Sequence, residues 1–189
     1  MRQDSRRKDR GSGLIVLILV IAFLLAVGII LLFVTGTGPQ VAGNIRFQEQ
    51  AFNAAEAGFD YAWAQIENNF MAAGWTNFDG HYITLPAGID LPDNANYFRK
   101  LTDDELLAAI DPADPNLIFY RVPYVLTPSG TQDSRYTYTA FLIDDEAGGG
   151  TPDADDALLI CIGVVQIGGT TATARLEIGL AKQLQGGNP

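Results

Sequence analysis

Residues 14–34 contain no charged and no polar side chain. Eighteen of these 21 residues are Leu, Ile, Val or Phe, and the others are Ala22, Ala26 and Gly28. At a rise of about 1.5 Å per residue, an unbroken helix of this length spans about 30 Å, the thickness of a bilayer's hydrocarbon core. Each Leu, Ile, Val or Phe near the middle favours insertion by roughly 0.3–0.6 kcal/mol, so the whole run favours lipid by several kcal/mol. A core helix of a water-soluble protein would keep a polar face, and this stretch has none. It therefore reads as a membrane helix.

The charges fall on its two sides unequally. Arg2, Arg6, Arg7, Lys8 and Arg10 precede the run, against Asp4 and Asp9. Of 12 basic and 22 acidic residues in the chain, 7 and 20 remain after residue 10, a net of −13. The basic end stays cytoplasmic by the positive-inside rule, which places the acidic bulk outside the cytoplasm. That bulk is about 150 residues, enough for one domain with one core. Its acidity argues against nucleic-acid binding, which needs a basic surface. Cys161 is the single cysteine, so no intrachain disulfide forms, and its apolar surroundings mark it as a small buried hydrophobe.

Three readings compete for the N-terminus. A cleaved secretory signal has an apolar stretch of only about 7–15 residues, shorter than this one. An uncleaved signal anchor fits the same physics. The third reading uses the junction, where Arg10-Gly11 is followed by Ser12-Gly13-Leu14-Ile15-Val16 and the apolar helix begins at once. That arrangement resembles a prepilin peptidase site, with cleavage between Gly11 and Ser12 and with Leu14 and Ile15 at the third and fourth mature positions. Farther on stand Val41-Ala-Gly-Asn44-Ile-Arg46 and then Ala51-Phe52-Asn-Ala-Ala-Glu56-Ala-Gly58-Phe59. In position, order and spacing these resemble the elements of PilX-type minor pilins of the type IV pilin and pseudopilin superfamily, with Phe59 where Leu is usual.

The resemblance implies a structural subunit of a type IV pilus-like filament. Its implied partners are the inner membrane, prepilin peptidase, a pilus assembly platform and other pilin subunits, major and minor. It implies residence in the inner membrane before assembly and on the cell surface afterwards. The residues implied are Gly11 and Ser12 for processing, and Leu14, Ile15, Val16, Phe23 and Phe33 in the assembly helix. The family's major subunits usually carry Glu at the fifth mature position, which here is Val16. A subunit without that carboxylate loses one means of docking within the filament, so a priming or tip-proximal role is expected. A type II secretion pseudopilin and an uncleaved single-pass envelope protein stay open as alternatives.

The expected layout divides the chain into a basic leader (1–11), a membrane and filament-core helix (12–38), an amphipathic stem helix (39–70) and an extracytoplasmic domain (71–189). Thr35-Gly-Thr-Gly-Pro39 predicts a kink or a short unwound segment. In the stem, apolar residues at 45, 52, 55, 59, 62, 63, 66 and 70 form one helical face, with the aromatics in the core. Ala54, Ala55, Ala57 and Gly58 permit close backbone approach. Thr102 followed by Glu105 predicts a capping box opening a short helix that ends near Asp111-Pro112. Four strand runs follow, at 117–126, 135–143, 157–167 and 171–183, with Pro123 marking an edge or bulge and Gly168-Gly169 a hairpin turn. An antiparallel meander with one face on the stem helix gives an α+β fold of pilin-like layout.

One constellation could carry chemistry. Asp144, Asp145, Glu146, Asp153, Asp155 and Asp156 place six carboxylates in 13 residues around a glycine run. Calcium takes six to eight oxygens in flexible geometry, so Ca2+ is the candidate cofactor, with a solvated acidic loop as the plain alternative. The spacing is not that of an EF-hand. His81 has no second His or Cys nearby, which argues against zinc. The chain has no Walker A loop, dinucleotide fingerprint or nucleophile–His set, so no enzyme activity is expected.

Overall fold

The computed structural model describes residues 5–144 and 153–182. The fold is α+β, with an N-terminal apolar helix and a four-stranded antiparallel sheet. The chain divides into two compact units, Met1–Arg46 and Phe47–Pro189.

Helix α1 covers Ser5–Asn68. Within the first unit it runs through residues 35–39 without an unwound turn, contrary to that alternative for the Gly-Pro stretch. Two glycines and a proline cost a helix roughly 5 kcal/mol in propensity. Stopping there would also require a second costly nucleation. The Thr35 hydroxyl adds a local bond, donating to the Leu31 carbonyl at 2.8 Å and approaching that of Leu32 at 3.3 Å.

The second unit is built on the sheet. Strands β1 (Leu117–Pro123), β2 (Tyr136–Ile143), β3 (Asp156–Ile167) and β4 (Thr170–Ala181) lie in the order β1-β2-β3-β4, the expected meander. β1 is an edge strand with two register shifts against β2, and Pro123 is its last residue. Arg121 sits at a bulge with φ 47°, and its N–H donates to the buried Thr139 hydroxyl at 3.1 Å. β3 and β4 join through a two-residue turn in which Gly168 and Gly169 have φ 60° and 84°. A tight primed turn needs positive φ at both positions.

Alternation along β2 and β3 feeds two cores. Ala140, Leu142, Leu159 and Cys161 face the α1 residues Ala62 and Ile66. Phe141, Ile143, Leu158, Ile160 and Ile162 face the other way, against Ile83, Ile89, Phe98 and helix α2 (Asp103–Ala109) with its Leu106 and Leu107. Fully burying each such side chain contributes about 1.5–3 kcal/mol. The sheet is therefore covered on both faces. The aperiodic stretch from Ile83 to Ile110 forms the second cover, which periodicity alone does not reveal.

Helix α2 opens as its sequence predicts. Thr102 Oγ1 accepts the Glu105 N–H, and the Glu105 carboxylate accepts the Thr102 N–H at 2.9 Å. Arg175 on β4 ties the start of this helix to the sheet. Its Nε donates to Asp103 at 2.7 Å, and its two terminal nitrogens donate to the carbonyls of Phe98 and Leu101 at 2.7 and 3.0 Å.

The helix face that meets the sheet matches the expected one at Ala55, Ala62 and Ile66 and differs at several of its aromatics. Ala51, Ala54, Ala55, Gly58, Ala62 and Ile66 are buried, whereas Phe52, Tyr61 and Trp63 are exposed. The reason is the separation of the backbones. A Cβ on Gly58 would lie 3.0 Å from that of Tyr138, and one on Gly163 would overlap the Ala51–Ala55 backbone. Only small residues fit between backbones that close, so the large aromatics lie beside the contact.

Candidate functional site

The apolar segment Gly13–Phe33 has 21 residues and a mean hydropathy of 3.5, and none of its most apolar stretch is buried. Leu14, Ile15, Val16, Phe23 and Phe33 are all exposed. By length and composition the segment can cross a membrane, a property shared by anchors and by N-terminal signal sequences. Gly11 and Ser12 lie within the backbone of α1, just before it.

The carboxylates of the acidic stretch are placed in part. Asp145 and Glu146 lie outside the described residues. Asp144 follows β2, and Asp156 opens β3. An Asp153 carboxylate oxygen accepts the Asp155 N–H at 3.0 Å, forming an Asx turn. Asp155 faces Lys182 at 3.5 Å, and its carbonyl accepts the Lys182 N–H at 2.7 Å. The Lys182 ammonium also donates to the Thr76 carbonyl. Asp155, one of the six candidate ligands, thus holds the start of β3 against the end of β4, and Asp153 shapes the turn before it. Among the described residues no group of three or more His, Cys, Asp or Glu is gathered to hold a metal.

His81 stacks on Trp75, with ring centroids 3.8 Å apart and planes 11° from parallel. Burial lowers its pKa, and nearby Asp79 partly opposes the shift. Both rings border an open groove of about 410 Å³ whose other walls include Gln65, Asn69, Asn116 and Phe119. Among the described residues no thiol, hydroxyl or carboxylate lines it. Cys161 is buried in the sheet face under α1, and burial pushes its thiol up to about 12, so it stays protonated and inert.

Sequence reasoning set the stem acids away from the packed face but placed Phe52 and Trp63 on it. The aromatics Phe52 and Trp63 lie open beside a row of carboxylates, Glu49, Glu56, Asp60 and Glu67, none of which makes an ion pair within the described residues. Helical spacing of the acids was the available signal, but it says nothing about which apolar side the sheet leaves uncovered. Comparison with protein-family models, with curated proteins and with solved structures finds no match to this chain.

Proposed function

We propose that the chain is a structural subunit, a minor pilin, of a type IV pilus-like filament. It is inserted in the inner membrane and cut between Gly11 and Ser12 by prepilin peptidase. It then assembles through its N-terminal helix with other pilin subunits on an assembly platform. The observation that carries the reading is the uncovered apolar segment Gly13–Phe33, directly after the Gly11-Ser12 junction. Lipid covers such a surface before assembly, and sibling helices can replace lipid afterwards. The layout of a helix on a four-stranded antiparallel meander supports the same reading.

Val16 favours a priming or tip-proximal place. A carboxylate at that depth costs roughly 2.5–3.5 kcal/mol on insertion scales and is kept where it pairs with a neighbour's amine. This chain gives up the pair and its cost together.

Mass spectrometry of the N-terminus tests the proposal in cells with an active prepilin peptidase. A chain beginning at Ser12, with a methylated amine, is the expected result. An intact Met1 in those cells overturns it in favour of a permanent single-pass anchor. Mapping of the filament tests the minor role, which fails if this chain is the repeating subunit.

A further inference from the structure

We infer that the exposed side of the stem helix is a docking surface for a different protein chain, one that presents an apolar helical ridge flanked by Lys or Arg. The inference deepens the filament reading by naming the surface and the chemistry of the neighbour.

Three rows run along α1 within the second unit. At 100° per residue the buried row Ala51, Ala55, Ala62 and Ile66 occupies one side, against the sheet. Next to it Phe52, Phe59 and Trp63 fall within about 40° of one another. Phe52 and Trp63 are 44% and 46% exposed, and the Phe59 and Trp63 rings lie 6.4 Å apart. Beyond them Glu49, Glu56, Asp60 and Glu67 also fall within about 40°, all exposed. An aromatic ridge bordered by carboxylates is one wall of a helix-in-groove contact.

The acids in that row repel one another. Glu56 and Asp60 are four residues apart, the spacing at which like charges oppose helix formation. None of them makes an ion pair among the described residues. Elsewhere the domain's basic side chains are mostly taken up. Arg99 meets Glu177, Arg135 meets Asp133, Arg175 meets Asp103, and Lys182 meets Asp155. Lys100 donates to the Asn94 carbonyl.

The shortage of free cations favours another chain over a second copy. Of the seven basic residues after residue 10, only Arg46 and Arg121 make no ion pair or hydrogen bond through their side chains among the described residues. A copy packed stem to stem would set four carboxylates against four. The complementary surface is basic, and this chain has too little basic surface to supply it.

The test uses the full chain in nanodiscs of zwitterionic lipid, with empty discs subtracted. Two labelled synthetic helical peptides share one Leu ridge, flanked by Lys in one and by Glu in the other. The Lys peptide is expected to bind, on the order of tenfold tighter than the Glu peptide. Glu56→Lys with Asp60→Lys, and separately Trp63→Ser, each weaken it by a similar order. Asp93→Lys with Asp111→Lys makes the same charge change away from the helix and alters binding by less than about twofold. Absent binding, equal binding of both peptides, or equal loss in the control pair overturns the inference. A chain that begins at Ser12 and fails this test remains a filament subunit without this surface. A chain with intact Met1 that passes keeps the surface and loses the filament reading.

Discussion

Gly163 faces Ala51 so closely that a Cβ on the glycine would stand 2.0 Å from the Ala51 carbonyl oxygen. The same Cβ would stand 2.5 Å from the Ala55 nitrogen. Both obstacles are backbone, so no rotamer change relieves them. Gly163→Ala is expected to destabilise the fold by about 3 kcal/mol, at the upper end of overpacking costs. Urea unfolding of the two forms measures it, and a loss below about 1 kcal/mol would contradict this close approach.

Arg175 is only 15% exposed and satisfies Asp103 and two carbonyls at once. Arg175→Met removes the cation and leaves three acceptors short of a donor, a cost of about 3 kcal/mol. Arg175→Lys recovers only a minority of it, because one ammonium cannot reproduce a planar fork. Thermal unfolding of both variants checks the order wild type, Lys, Met.

The α2 cap makes stability fall in acid. Hydrogen bonds from the Thr102 backbone and hydroxyl hold the Glu105 carboxyl below its ordinary value of 4.5. A depressed carboxyl contributes its full stability above that value and loses it as pH falls through the folded pKa. Asp133, held down by its hydrogen bonds from Arg135, acts in the same sense from an ordinary 3.8. Glu105→Gln is expected to flatten the melting-temperature profile below about pH 4.5. An unchanged acid slope would separate the cap from that loss.

Cys161 should ignore thiol reagents in the folded protein. At about pH 8 a thiol raised to about 12 is almost wholly protonated, and it is walled off as well. A maleimide is expected to label it only after denaturation. Rapid labelling of the native chain would show that the helix lifts from the sheet.

Leu24 lies near the middle of Gly13–Phe33. Leu24→Arg adds roughly 2.5–3.5 kcal/mol to the cost of insertion. Cell fractionation is expected to find less of this variant in the membrane, with Leu24→Ala unaffected.

Much of the fold was legible because local signals agreed with tertiary demands. Residues 14–34 announced themselves by composition, the four strands by β-branched, aromatic or alternating runs, and the Gly168-Gly169 turn by glycine placement. Thr102 and Glu105 gave the α2 start for the same reason, since a capping box is complete within four residues. Ala54, Ala55 and Gly58 were legible as points of close approach, but the aromatics of the stem were placed on the packed side because periodicity ranks residues by size and apolarity. Contact with the sheet selected Ala51, Ala54 and Gly58 for smallness instead, leaving Phe52 and Trp63 outside. The cover formed by Ile83, Ile89 and Phe98 was not legible, since its turns carry no period. The uncovered apolar segment was readable in full, whereas the acidic ridge beside Trp63 needed to know where the sheet lies.

The glycine opposite Ala51 also makes the helix a gauge for strand alignment. A slip of one residue along β3 would present Ile162 or Val164 where only a hydrogen fits, and the helix could not seat. A misaligned sheet would thereby lose the helix that covers its inner face.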